Sequence, residues 1–183
     1  MRFFLSLKCC FLIVVTVLLS ACATIPPELT SSDTSLVTSY KVWKTGISDG
    51  REIRLGGVIA TVENLKDKTR LEIVNVPLTG SGKPDINVEP EGRFIAYIKG
   101  FMDPVTLSKG RLISVLGQTA GTEVARVGQY QGTFPVMNVT GFHLWRIENQ
   151  VIINHFGSYL RPCRTLSCHE DDLERGRVIQ VVK

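Results

Sequence analysis

The chain has 183 residues, 44% hydrophobic and 21% charged, with a formal net charge of +4. That length builds one hydrophobic core with additions, not comfortably two. A balance of 21 basic against 17 acidic side chains argues against a dedicated nucleic-acid binder, which would carry a basic stripe.

The first element is a short export segment. Arg2 and Lys8 precede the run Cys9 to Leu19, whose eleven residues are almost all apolar. As a helix this run reaches about 16 Å, well short of the roughly 30 Å hydrocarbon core of a bilayer, so it reads as a signal h-region rather than a span. It ends in Leu19-Ser20-Ala21-Cys22, which looks like the lipobox of bacterial lipoproteins. Two small residues suit the signal peptidase at the scissile bond, and only a thiol at the last position can form the thioether to diacylglycerol. The expectation is cleavage of residues 1–21, lipidation of Cys22, and acylation of the freed amine by a chain such as palmitate. Two or three acyl chains hold a protein on a membrane where one does so only marginally. Ala23, where an inner-membrane retention signal would place Asp, points to the outer membrane. Without Arg2 and Lys8 the mature chain carries 19 basic and 17 acidic side chains, close to neutral.

Residues 22–39 are rich in Pro, Ser and Thr and read as a lipidated N-terminus with a flexible tether. Tyr40 to Ser48 reads as a short helical turn, with Val42 and Trp43 available to pack on the core. The centre, from residue 40 to 148, is β in character. Glu52–Glu63 is a strand with a bulge or bend expected at Gly56-Gly57. Thr69–Val76 alternates apolar and polar residues. A polar loop with three prolines and three glycines covers Pro77–Gly92. Arg93–Phe101 places Phe94, Ala96 and Ile98 on one face, and Leu112–Gln118 is a fourth strand. Thr122–Tyr130 either continues that strand or hairpins back at Gly121. Gly141–Glu148 is expected to pair with Gln150–Phe156 through a turn at Glu148-Asn149, and the tail from Gly176 forms a last short strand. Many short strands and little helical periodicity give a mainly β domain: a small OB-like closed or partly open barrel, with a β-sandwich as the alternative.

Residues 149–183 form a C-terminal extension holding Cys163 and Cys168. In an oxidising compartment a structural disulfide is the first reading of this pair. A metal site using the adjacent His169 and a pair of free thiols are the others; four intervening residues exclude a redox CxxC motif.

No nucleophile motif of the G-x-S-x-G type and no H-E-x-x-H is present. His143 and His155 lie in apolar strands and read as packed side chains. Glu63, Glu72, Asp85, Glu89 and Glu91 read first as a solvated rim. Arg93, Lys99, Lys109 and Arg111 read first as scattered surface charge; with Phe94, Tyr97 and Phe101 beside them, the alternative is a basic-aromatic patch for lipid headgroups, lipopolysaccharide or peptidoglycan. A cleft lined by Glu63, Arg70, Arg93 and His143 is the arrangement a small-ligand binder or periplasmic hydrolase would need.

The central residues also carry a family likeness. Arg54-Leu55-Gly56-Gly57-Val58-Ile59, Glu63-Asn64, Thr69-Arg70-Leu71-Glu72 and Gly82-Lys83-Pro84-Asp85 occur in order. Glu91-Gly92-Arg93-Phe94, Gly100-Phe101-Met102-Asp103-Pro104, Lys109-Gly110-Arg111-Leu112, Thr133-Phe134-Pro135-Val136 and Gly141-Phe142-His143-Leu144-Trp145 continue the series. This run resembles the starvation-inducible outer-membrane lipoprotein (Slp) family over roughly residues 50–146. The resemblance implies a lipid-anchored outer-membrane protein associated with starvation and stress, with no catalytic residues and no cofactor to carry over. The anchor, with no catalytic constellation beside it, gives the expected partners: the outer membrane through the acyl chains and an envelope component, whether lipid, peptidoglycan or protein.

Overall fold

The computed structural model describes residues 25–46, 50–152 and 177–183. Five strands form its centre: β1 (Glu52–Asn64), β2 (Lys68–Asn75), β3 (Gly92–Lys99), β4 (Leu112–Val127) and β5 (Tyr130–Trp145). They hydrogen-bond in the cyclic order β1-β2-β3-β5-β4 and close into a barrel. All neighbours are antiparallel except β3 and β5, which pair in parallel from Ile95↔Val136 to Tyr97↔Asn138. This is the topology of an OB-like barrel.

Closure rests on β1, which pairs with β4 through Glu52–Val58 and with β2 through Gly57–Asn64. Gly57 sits where the strand changes partners, and a Cβ there would overlap the Val74 carbonyl. Gly57 therefore serves close approach of backbones, while Gly56 leaves room for the Leu78 side chain. The expected bulge occurs instead between Ile59 and Thr61.

Ile53, Leu55, Ile59, Leu71, Ile73, Phe94, Ala96, Ile113, Val115 and Met137 fill the barrel as the inward half of each strand's alternation. Helix α1 (Tyr40–Thr45), just before β1, contributes Trp43 to the same core. Its ring meets Phe94 edge-on at 5.8 Å, and its indole N–H donates to Thr119 Oγ1 at 2.9 Å. Val42, by contrast, is exposed. Leu107, from the β3–β4 connection, is also fully buried in this core.

A second, smaller core lies outside the barrel. Leu112, Leu116 and Trp145 face outward from β4 and β5 and are covered by Leu29, with Ile25, Leu36, Val58, Ile86 and Val182 around them. The start of β4 is consequently buried on both faces, which explains why Leu112, Ile113, Val115 and Leu116 do not alternate with exposed polar residues.

The cover is the N-terminal segment itself. Pro27–Leu29 form a 3-10 turn, and Val37 makes a parallel bridge to Ile53. Arg54 donates to the Leu29 carbonyl at 3.1 Å, and Ser31 bonds to Glu52. The stretch read as a flexible tether is, from Ile25 onward, a strap packed on the barrel.

Of the two readings of Thr122–Tyr130, continuation holds: β4 runs on to Val127, and the chain returns through Gly128-Gln129, with Gly128 at φ 62°, so β4 and β5 extend past the barrel as a long hairpin arm. One other expectation changes. β6 (Ile147–Ile152) does not fold back on β5 but pairs with β7 (Arg177–Val182) as a separate two-stranded ribbon. A local turn signal at Glu148-Asn149 lost to a partner about thirty residues away in sequence. No helix among the described residues is long and apolar enough to cross a membrane.

Candidate functional site

The most concentrated chemistry lies on the outward positions of β2 and β3. Strand alternation turns Leu71 and Ile73 inward and leaves Arg70 and Glu72 outward, beside Arg93 and Tyr97 of β3. The hairpin arm adds Glu123 from β4. Arg70 donates from Nη1 to Glu72 at 2.8 Å and from Nε and Nη2 to Glu123 at 3.0 Å. Arg93 donates to the second Glu72 oxygen at 2.8 Å, and the Tyr97 hydroxyl donates to the second Glu123 oxygen at 2.5 Å. Lys68 lies 3.8 Å over the Tyr97 ring.

Arg70 and Glu72 are about nine-tenths buried. Burial works against the Arg70 charge, but bonds from Glu72 and Glu123 outweigh it and raise its pKa above the usual arginine value. Burial, then the Glu123 carboxylate, pushes the Tyr97 phenol up. Each carboxylate here is engaged by donors on both oxygens, so the network pins the arm to the barrel wall rather than offering a poised acid or base.

Only part of the proposed cleft converges. Glu63 comes within 3.9 Å of Arg70 but is mostly exposed, and Arg93 joins the network through Glu72. His143 faces the strap instead, with Nδ1 2.6 Å from Glu28 and its ring 4.2 Å from that of Trp145. The rim reading fails for Glu72, which is buried and ion-paired, and holds for Glu63, while Glu91 pairs with Lys41 at 3.2 Å. The basic-aromatic set does not form one face: Phe94 is inside the core, Arg93 is engaged by Glu72, and Arg111 donates to the Thr106 carbonyl at 2.6 Å. Among the described residues no group of three His, Cys, Asp or Glu could hold a metal ion. Cys22, His155, Cys163, Cys168 and His169 lie outside the described residues.

Glu123 escaped the sequence reading. Its one signal was a lone acid at a position whose neighbours two apart, Gly121 and Ala125, are small, which marks the covered side of the arm.

The strap contact titrates. The His143 hydrogen bond, then its own backbone, holds the Glu28 carboxyl below the usual range. A depressed carboxylate favours the docked state above its free pKa, and that contribution is lost as pH falls through the lowered value. NMR amide shifts of Ile25 to Val37 are expected to move with a midpoint below the ordinary glutamate value of about 4.3. Asp33 is also lowered, by Ser35, and titrates in the same segment. His143→Ala should therefore move the Glu28 component up toward that ordinary value and leave the Asp33 component in place; an unchanged profile in that variant would remove the latch.

The chain matches the model of the outer membrane lipoprotein Slp family over residues 19–166. It belongs to that family. The Slp match is wider than the motif run, beginning at Leu19 in the lipobox and passing Cys163. Similar relatives include the uncharacterized lipoprotein YeaY of Escherichia coli K12, 36% identical over 138 residues, covering 74% of this chain and 71% of that protein. The outer membrane protein Slp of the same organism is 30% identical over 139 residues, covering 73% and 72%. A Haemophilus influenzae Rd protein is 37% identical over 99 residues, 54% of each chain. Among solved structures, the single-stranded DNA-binding protein Rim1 of S. cerevisiae aligns at 16% identity with a TM-score of 0.34, over 52% of this chain and 95% of its own. Slp membership makes this protein an outer-membrane lipoprotein.

Proposed function

We propose that Cys22 carries the lipid and that the barrel is a non-catalytic module held close to the outer membrane, presenting its surface to an envelope component. The observation that carries this reading is the strap. Ile25, three residues beyond Cys22, already packs on the outer core, and three extended residues span at most about 11 Å. A lipid at Cys22 would thus hold the barrel at the headgroup layer, not at the end of a long leash. The family match, starting inside the lipobox, supports the same cysteine. The internally satisfied charge network favours a structural over a catalytic use of the densest polar cluster.

Cell fractionation tests the reading. The wild-type protein is expected in the outer-membrane fraction, and Cys22→Ser in the soluble periplasmic fraction or held as an unprocessed precursor. Unchanged outer-membrane recovery of a processed Cys22→Ser protein would refute it. Cys163 and Cys168 are proposed as a structural disulfide local to the extension, checked by mass shift on reduction and alkylation.

A further inference from the structure

The strap, the start of β1 and the β2–β3 loop enclose a small open hollow lined by Thr38, Arg54, Leu78, Thr79 and Gly80, with a volume of about 220 Å³. That is below the roughly 300–1,000 Å³ of ordinary small-molecule pockets and suits a compact group. Arg54 is half-buried. Its Nη1 donates to the Leu29 carbonyl at 3.1 Å, while its Nε is buried without a hydrogen-bond partner in the protein. No carboxylate among the described residues comes within ion-pair distance of it. Glu52, the nearest acid in sequence, bonds instead to Ser31. Burial accordingly pulls the guanidinium below its usual pKa, opposed only by the field of Glu52. A partly desolvated cation without a carboxylate in direct contact is costly. Two threonines stand beside it, and the space at Gly80 is open, with nothing within 4 Å of where a Cβ would be.

We propose that this hollow is an oxyanion site that takes a phosphate group, with Arg54 as its charged anchor and Thr38, Thr79 and the Gly80 backbone around it. Arginine is suited to this, since its planar fork matches phosphate oxygens and its charge strengthens each hydrogen bond. The location suggests a source. The loop that carries Thr79 and Gly80 continues to Gly82, where an added Cβ would lie 3.5 Å from Ile25 and 3.8 Å from Leu29. The loop that lines the hollow therefore lies beside Ile25, three residues along the chain from Cys22. If Cys22 is lipidated, headgroup phosphates of the same leaflet lie within reach. This choice of source rests on the anchor reading; the oxyanion site itself does not.

The test uses the ¹⁵N-labelled mature protein in a phosphate-free, non-ionic detergent, titrated separately with inorganic phosphate, dioctanoyl-phosphatidylglycerol and uncharged dioctanoylglycerol. Shifts are expected at Arg54 Nε–H and at the Thr38, Thr79 and Gly80 amides with the two phosphates and not with dioctanoylglycerol. Saturation at about tenfold lower concentration by the phospholipid supports a headgroup, and equal saturation supports free phosphate. Arg54→Gln should weaken either response at least about tenfold, the loss of a charge-assisted bond. Thr79→Val, which leaves the Arg54–Leu29 bond intact, should weaken it by a smaller factor without loosening the strap. No shift at these four positions with either phosphate, or an equal shift with dioctanoylglycerol, overturns the site. Mass measurement at residue 22 reports the anchor independently: an unlipidated chain that still responds to inorganic phosphate would retain this site and lose only its membrane source.

Discussion

Replacing Arg70 with methionine is expected to destabilise the barrel by about 3–5 kcal/mol, the usual cost of breaking a buried ion pair by removing one partner. Glu72 would keep only Arg93, and Glu123 only the Tyr97 hydroxyl, so two carboxylates would be left under-compensated beneath the arm. The urea midpoint should fall with little change in slope. The cause is separable from lost packing, because methionine fills much of the same volume. Arg70→Met combined with Glu72→Met should recover a large share of the loss, since the more deeply buried orphan carboxylate is gone and Arg93 can reach water. If the double variant is less stable than the single one, the network contributes through its geometry and not through the penalty of an unpaired charge. Amide protection in Thr122–Tyr130 should drop in the single variant, because Glu123 is the arm's tie to the barrel wall.

Gly141→Val is expected to undock the strap while leaving the barrel closed. Gly141 faces outward on β5 opposite Leu116, and a Cβ there would overlap the Glu28 carbonyl. Backbone cannot yield as a side-chain tip can, so the 3-10 turn must lift, exposing Leu29 and uncovering Leu112 and Trp145. Full burial of a leucine is worth about 1.5–3 kcal/mol, which sets the scale of the loss. Hydrogen exchange should quicken over Ile25–Val37 and remain slow in β2 and β3. Leu29→Ala should reproduce this pattern without touching Gly141. Global unfolding in both variants would mean that the strap is part of the barrel's cooperative unit rather than a separately stable cover.

Much of the barrel was legible because its strands are buried on one side. Leu71 and Ile73, or Phe94, Ala96 and Ile98, alternate with polar residues and announce both strand and inward face. The first half of β5 was not legible. Gly132 and Pro135 interrupt the alternation, and along the arm this half pairs with the far end of β4 outside the core, so little burial disciplines its sequence. The strap was hidden for a related reason. Its prolines, serines and threonines have the composition of a linker, and two side chains, Leu29 and Val37, supply its full burial. Whether such isolated apolar residues find a partner depends on the outward face of β4, which local sequence does not report. The charged network was half visible. Arg70, Glu72 and Arg93 could be placed on neighbouring strands by register, but Glu123 reaches them only through the curl of the arm. His143 was grouped with them on chemical type alone, and the barrel sends it to the strap.

A lipid on Cys22 would sit three residues before Ile25, which packs on the barrel. The direct measurement is mass spectrometry of the mature N-terminal peptide from membranes. It is expected to begin at residue 22, with a diacylglyceryl thioether on Cys22 and a fatty acyl group on its amine. A free thiol at that position, or a mature chain released without fatty acid, would contradict it.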